Sequence, residues 1–204
     1  MKITWSSTSD ILATNIAAIA IAEWQHWPLV ELLWPYWLQS VIIGWYTRRR
    51  VLSLRQFSLD ENTVVQPSEA AEAIKRQGAG VFFLFYGFFH VLYLAILVDR
   101  TDYPATPLDL AVIAALGVAF LFAHRRSYAR IIESDRAARP NILAALTLIP
   151  VMRVVPMHVT TIVGLELGGT GAVILFGTLK TLADVLMHWI EQRMTSAPTA
   201  KSPE

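Results

Sequence analysis

Long apolar runs, separated by short links, constrain this chain more than any other feature of its sequence. The first four runs cover Asp10–Trp24, Leu29–Tyr46, Ala79–Val98 and Leu108–Ala123. A later stretch, Met152–Arg193, holds two further runs on either side of a Leu-Gly-Gly-Thr-Gly break, which is typical of a helical hairpin. The runs are roughly long enough to cross the ~30 Å hydrocarbon core of a bilayer. We therefore expect an all-α membrane protein, a bundle of six transmembrane helices with the lipid bilayer as its surroundings.

The overall composition agrees with a membrane protein. Of the 204 residues, 54% are hydrophobic and 16% are charged, whereas soluble domains carry about 25% charged residues. The net charge of +1 gives no field that would recruit nucleic acid, so no nucleic-acid partner is expected. Because the chain has no cysteine, disulfides, thiolate nucleophiles and cysteine-ligated metal centres are excluded.

Basic residues alternate between the links in the way that sets membrane orientation. The links after the second and fourth runs hold most of them: Arg48, Arg49, Arg50, Arg55, Lys75 and Arg76 in one, and Arg125, Arg126, Arg130, Arg136 and Arg139 in the other. The three remaining links carry only Arg100. Since cytoplasmic links are enriched in lysine and arginine, we expect both termini to be cytoplasmic, in the inner (cytoplasmic) membrane. Residues 1–194 then form one transmembrane domain, and residues 195–204 a disordered polar tail.

Local signals predict how the links are built. Ser68 as N-cap and Gly78 as a stop predict a short amphipathic helix over Glu69–Gln77, separate from the third span. The apolar segment Asn141–Ile149 is too short to cross a membrane, so we expect a short interfacial helix before span five. Pro35 should kink or break the second span, because proline lacks the amide hydrogen that a helix interior needs.

The hairpin carries ionisable residues where a membrane span is expected to be apolar. Lys180, Asp184 and His188 follow one another at intervals of four residues and so share one helix face. In an antiparallel hairpin, His158 lies about level with Asp184, and Arg153 about level with His188, in the cytoplasmic half. Because a charged side chain at the bilayer centre costs ~2.5–3.5 kcal/mol, we expect these residues to face the bundle interior and to find partners there.

Such a cluster predicts a buried polar site in the cytoplasmic half of the bundle. If the site is catalytic, Asp184 would act as a base or metal ligand, and His158 and His188 as ligands or proton carriers. Lys180 would then stabilise negative charge. The plain structural alternative is a Lys180–Asp184 ion pair within one helix that locks the bundle.

A divalent transition metal is a candidate cofactor, because imidazoles together with a carboxylate suit zinc, iron or copper. Four residues have suitable side chains: His158, Asp184, His188 and His90. Two polar residues could support them: Arg153 and Gln39. The structural alternative for His90 is a core histidine that bonds to Tyr86, one helical turn away.

Two hypotheses for function follow. In the first, a polytopic membrane protein uses its polar site for metal- or proton-transfer-linked chemistry on a lipophilic substrate. No Ser-His-Asp or G-x-S-x-G arrangement in the sequence points to a serine nucleophile. In the second, the protein is a non-enzymatic accessory or scaffold subunit of a larger membrane complex, and its ion pairs specify packing.

A third alternative, a small transporter, ranks last, because the outer halves of the runs are almost wholly apolar.

Two segments of the sequence resemble a known family. One is Tyr36–Gly44, YWLQSVIIG, and the other is Arg153–Gly164, RVVPMHVTTIVG, followed by Leu179–Asp184 and His188. They resemble a group of uncharacterised prokaryotic multi-pass membrane proteins, a domain of unknown function (DUF6498-like). The resemblance implies a multi-pass fold and no established activity. In that family the position of Gln39 is usually glutamate, so this chain lacks a carboxylate there, which counts against a carboxylate-rich metal site.

Overall fold

Five helices make up almost the whole of the described structure. The computed structural model describes residues 27–60, 63–100, 107–137, 140–160 and 169–196, together with residues 16, 19, 20, 23, 24 and 163. The helices are α1 (Leu29–Ser53), α2 (Glu69–Arg100), α3 (Pro107–Ala137), α4 (Leu143–Val159) and α5 (Gly169–Ser196). Two short antiparallel strands, β1 (Phe57–Ser58) and β2 (Val64–Val65), pair in the link between α1 and α2. The all-α class predicted from the sequence is confirmed.

Three helices in the described part of the chain are long and apolar enough to cross a membrane. The candidate segments are Glu69–Arg100, Leu110–Glu133 and Gly169–Met187. α4 is apolar but has only 17 residues. α1 has 25 residues, and its tryptophans, tyrosines, proline, glutamine and arginines dilute its apolar character. Most of the first apolar run lies outside the described residues. The described helices therefore support three spans and do not support the predicted count of six.

α1 lies at the centre of the helix packing. It contacts α2, α3, α4 and α5, and it contacts α2 most extensively. Its first turns add Leu29, Leu32 and Leu33 to the main buried cluster, which continues through α2, α4 and α5. Pro35 is buried inside α1, and the helix is continuous through it. A helical φ is natural for proline, so the ring removes one backbone hydrogen bond without ending the helix.

α2 is a single helix of 32 residues, so the predicted separation of Glu69–Gln77 from the third span is wrong. The predicted N-cap is confirmed, since the amide of Ala71 donates to Ser68 Oγ at 3.1 Å. Gly78 does not stop the helix. It lies against Leu143 of α4, where an added Cβ would be 3.4 Å from Leu143 Cδ2, so this glycine serves close packing between helices.

α4 begins at Leu143 and runs without interruption past the predicted start of span five at Met152. The predicted separate interfacial helix over Asn141–Ile149 is therefore wrong, because most of that segment forms the first turns of α4. Two prolines, Pro150 and Pro156, lie inside this helix. Each removes one backbone hydrogen bond but keeps a helical φ, which explains why the helix passes through both.

Hydrogen bonds fix the arginine-rich end of the bundle. The buried amine of Lys75 in α2 donates to the carbonyl oxygen of Leu54, just after α1, at 2.6 Å. Arg50 of α1 makes a bidentate contact with Asp135 of α3, with both N···O distances at 2.7 Å. Asp135 also accepts a hydrogen bond from Asn141 at 2.8 Å. The links that follow α1 and α3 are therefore tied to one another at this end.

α5 begins at Gly169, whose φ of +52° favours glycine. Residues 161–162 and 164–168 lie outside the described residues, so the predicted Leu-Gly-Gly-Thr-Gly turn is described only from Gly169 onwards. α5 extends to Ser196. Residues 197–204, most of the predicted disordered tail, also lie outside the described residues.

Candidate functional site

Lys180 and Asp184, one turn apart on α5, form an ion pair. Their side chains are only 13% and 22% exposed. The Lys180 amine also lies 4.7 Å from the centre of the Tyr36 ring on α1, which is a cation–π geometry. Tyr36 in turn meets Phe176 of α5 edge to face, with ring centroids 4.9 Å apart. The predicted pair is confirmed, and it faces the central helix.

A small cavity of about 50 Å³ lies beside this ion pair. Its polar wall comes from four helices and consists of Tyr36, Gln39, Ser40, Tyr86, Arg153, Lys180 and Asp184. Arg153 and Lys180 are cationic and Asp184 is anionic, so the wall carries a net positive charge. Water or one functional group of a ligand fits a cavity of this size.

A second cavity, of about 180 Å³, shares Arg153 with the first. Its other polar lining residues are Tyr46, Thr47, Arg50, His124 and Tyr128. Arg50 also belongs to the polar network at the arginine-rich end of the bundle, and Arg153 lines both cavities. Of the predicted site residues, Arg153, Lys180, Asp184 and Gln39 thus line the small cavity.

His90 is buried between α1 and α2, and each of its two ring nitrogens has a hydrogen-bond partner. Its Nδ1 lies 2.7 Å from the Tyr86 carbonyl oxygen, and its Nε2 lies 2.5 Å from Ser40 Oγ. A carbonyl oxygen only accepts, so Nδ1 carries the hydrogen, and Nε2 of the neutral ring accepts from the Ser40 hydroxyl. The ring also stacks on that of Tyr86, with centroids 4.2 Å apart. The predicted bond between His90 and Tyr86 is confirmed, and Ser40 is a second partner.

Two further hydrogen bonds join α1 to α2 at this level. The Tyr86 hydroxyl donates to the Ser40 carbonyl oxygen at 3.0 Å and lies 3.4 Å from Ser40 Oγ. Trp37 Nε1 donates to the His90 carbonyl oxygen at 2.9 Å. Ser40 therefore bonds to α2 through both its hydroxyl and its carbonyl oxygen, and it also lines the small cavity.

His158 packs into an aromatic wall instead of lining the small cavity. Its ring meets Tyr93 and Phe89 edge to face, with centroids 4.6 Å and 5.2 Å away. Its Nδ1 lies 3.1 Å from the Val154 carbonyl oxygen, which fixes the hydrogen on that nitrogen. His158 thus belongs to the same bundle interior as His90, on the side of the aromatic residues.

The described side chains contain no group of three or more His, Cys, Asp or Glu that could hold a metal ion. The side chain of His188 lies outside the described residues, although its backbone is part of α5. The predicted metal ligands His158, Asp184, His188 and His90 therefore stay a prediction.

Ser40 is a polar site residue that sequence reasoning missed. Its partner His90 is 50 positions away, so no local motif connects the two. One signal was present, because Ser40 and Gly44 are small residues four positions apart on α1. Small residues at this spacing mark faces where helices approach closely, and that face of α1 is the one that meets α2.

The protein is all-α, and its apolar helices surround a buried polar cluster. This architecture is compatible with a membrane protein. The chain belongs to a family of unknown function, DUF6498, whose model matches residues 2–201. No curated protein and no solved structure matches it. Family membership thus assigns no activity, and any function must come from the site.

Proposed function

We propose that this chain is a polytopic integral membrane protein whose polar site binds the anionic end of a lipophilic substrate. The observation that carries the proposal is the small cavity lined by Arg153, Lys180 and Asp184. Two cations against one carboxylate favour a ligand group with negative charge, such as a carboxylate or a phosphate. The helices around the cavity are apolar, which suits a ligand whose remaining part is apolar.

The membrane arrangement that we propose has six spans, with the site in the cytoplasmic half of the inner membrane and both termini in the cytoplasm. α2, α3 and α5 supply three spans, and α1 packs among them. The first apolar run contacts α5, where Ile19 lies against Gly177 and the Thr170 hydroxyl donates to Glu23 at 3.1 Å. α4 and the residues after it would complete the bundle. The arginine-rich links then face the cytoplasm.

The chemistry that this site would support is proton transfer next to a stabilised negative charge. In this proposal Lys180 and Arg153 stabilise charge on the substrate, and Asp184 exchanges a proton with it. His158 and His188 would carry protons or bind a transition metal. Metal analysis of the purified protein tests the metal form: bound metal that is lost in His158→Ala supports it, and a metal-free wild-type protein excludes it.

Photo-crosslinking with a long-chain fatty acid that carries a diazirine and an alkyne tests substrate binding. The purified protein is labelled in detergent, and the modified peptides are identified by mass spectrometry. We expect labelling of peptides from α1, α4 and α5. We also expect palmitate and dodecyl phosphate to compete, and hexadecanol, which has no charge, to compete at least fivefold less well. The two anionic competitors separate preference for a carboxylate from preference for a phosphate.

Arg153→Gln and Arg76→Gln are the matched variants for this experiment. Both remove one arginine charge, but Arg153 lines the cavity and Arg76 is exposed on α2. Labelling should fall at least fivefold in Arg153→Gln and remain unchanged in Arg76→Gln. Equal labelling in the two variants, or equal competition by the charged and the neutral amphiphile, would contradict the proposal.

A scaffold role is the second candidate, because α2 presents a broad apolar face to its surroundings. The exposed residues on this helix include Val81, Phe83, Leu84, Phe85, Phe88 and Val91. This face suits lipid and also suits a helix of another membrane subunit. Isolation in mild detergent separates the two roles: defined, stoichiometric subunits that co-purify favour the scaffold, and a monomer that binds the anionic amphiphile favours the first proposal.

A further inference from the structure

We propose that Ser40 is an activated nucleophile, that His90 is its general base, and that the pair transfers the acyl group of a lipophilic ester. This inference rests on the proposed function, because the ester would reach Ser40 through the same small cavity. It extends that function by naming the bond that is cleaved, an ester bond, and two catalytic residues. Neither residue needs a metal to act.

The direction of the hydrogen bond between the two residues supports this assignment. Nδ1 of His90 is committed to the Tyr86 carbonyl oxygen at 2.7 Å, so Nε2 of the neutral ring has a free lone pair that faces Ser40. The Ser40 hydroxyl is the hydrogen-bond donor to it, at 2.5 Å. A serine whose hydroxyl hydrogen points at an imidazole, with the imidazole oriented by a third group, is the arrangement that activates serine in acyl transfer.

The position of Ser40 relative to the cavity supplies the second requirement. Ser40 is only partly buried and lines the cavity together with Arg153 and Lys180. Attack on a carbonyl places negative charge on its oxygen, and cationic side chains in a water-poor site stabilise that charge. His90 is buried and does not line the cavity, so the alcohol and the water of the reaction reach its Nε2 from the Ser40 side.

The hydrogen bond between Ser40 and His90 is not needed to hold α1 against α2 at this level. Trp37 and Tyr86 already join α1 to α2 here, and both donate to backbone carbonyl oxygens. The contact between Ser40 and His90 connects two side chains that can exchange a proton, and Ser40 lines the small cavity.

The reaction balances with an ester and water as the only reactants. Ser40 Oγ attacks the carbonyl carbon, and its proton moves to His90 Nε2. The bond from the carbonyl carbon to the alcohol oxygen breaks, and the alcohol leaves with that proton, so an acyl group remains on Ser40. Water then attacks this acyl group with His90 as base, and His90 returns the proton to Ser40 as the carboxylic acid is released.

Labelling with an alkyl fluorophosphonate tests this inference, because the reagent modifies activated serines. The folded wild-type protein in detergent is incubated with the reagent, and the modified serine is identified by mass spectrometry. We expect an adduct on Ser40. In His90→Asn the labelling rate should fall at least tenfold, and in Ser40→Ala the adduct should disappear. Hydrolysis of p-nitrophenyl octanoate should fall in parallel.

Ser53→Ala is the matched control on the same helix. The Ser53 hydroxyl donates to the Arg49 carbonyl oxygen at 2.7 Å and has no imidazole beside it, so its removal should leave labelling and hydrolysis unchanged. An unmodified Ser40 in the folded wild-type protein would overturn the inference whatever the variants do, and so would a His90→Asn variant that labels at the wild-type rate. If crosslinking to the anionic fatty acid persists in that case, the binding proposal stands and only the acyl-transfer step fails.

Discussion

The ring of Tyr86 lies so close to Gly44 that a methyl group on the Gly44 Cα would overlap ring atoms Cε1 and Cδ1. Gly44 is one turn after Ser40, on the face of α1 that meets α2. The tyrosine cannot easily move away, because its ring stacks on His90 and its hydroxyl bonds to the Ser40 carbonyl oxygen. The absence of a side chain at position 44 therefore lets α1 approach α2 closely at the level where Ser40 and His90 are in contact.

Gly44→Ala should destabilise the protein by about 1–3 kcal/mol, the usual cost of overpacking a tight contact. The free energy of unfolding from SDS titration, followed by circular dichroism, measures this effect. Gly80→Ala in α2 is the control, since its added Cβ meets nothing within 4 Å, and alanine favours a helix by up to about 1 kcal/mol. If Gly44→Ala were as stable as Gly80→Ala, the close contact would not constrain the interface.

Lys75→Met should also destabilise the bundle, by about 1–3 kcal/mol, because the Leu54 carbonyl oxygen would lose its hydrogen bond while buried. The Lys75 amine also pairs with Glu72 at 2.5 Å. The neighbouring exposed residue gives the control, and Arg76→Met should change stability by less than about 0.5 kcal/mol. Similar losses in both variants would show that positive charge on this turn matters, and that the hydrogen bond does not.

Lys180→Met and Asp184→Leu should each cost up to about 3–5 kcal/mol, because each leaves the remaining charge without its partner. The double variant should recover most of that stability, since it removes both mostly buried charges. If the pair serves ligand binding, the double variant should still lose crosslinking to the fatty-acid probe. A stable double variant with wild-type crosslinking would assign the pair to packing alone.

The orientation of α2 in the membrane can be measured directly, because the chain has no cysteine. At 1.5 Å per residue the 32 residues of this helix extend about 48 Å, enough to cross a bilayer. In intact cells a membrane-impermeant maleimide should label Arg100→Cys, and it should label Gln56→Cys only after the cells are opened. Both positions are exposed. Labelling of the two from the same side would contradict a membrane-crossing α2.

Sequence reasoning found the features that depend on near neighbours. The Ser68 cap joins residues three positions apart and the Lys180–Asp184 pair joins residues four positions apart, so helix geometry alone brings their members together. The all-α class also followed from the long apolar runs. These features need no knowledge of which helices pack side by side.

The features that were wrong or missed depend on packing between helices. Gly78 resembles a helix stop in isolation, but in the fold it makes room for Leu143. Asn141–Ile149 is too short on its own to cross a membrane, yet α4 continues from Leu143 to Val159 without a break. The contact between Ser40 and His90 joins two helices through residues far apart in sequence, and spacing along one helix carries no information about it. The sequence also drew attention to the hairpin, whereas the described fold is centred on α1.

Side-chain hydrogen bonds to backbone carbonyl oxygens join α1 to α2 at several levels. Trp37, Tyr86 and Lys75 link α1 and the residue after it to α2 through side chain to backbone hydrogen bonds. α5 meets α1 through the ring of Tyr36, a contact that slides more easily than a hydrogen bond. The serine and the histidine therefore lie on two helices that are joined by hydrogen bonds, whereas the cationic side chains of the small cavity, Arg153 and Lys180, lie on helices outside that pair.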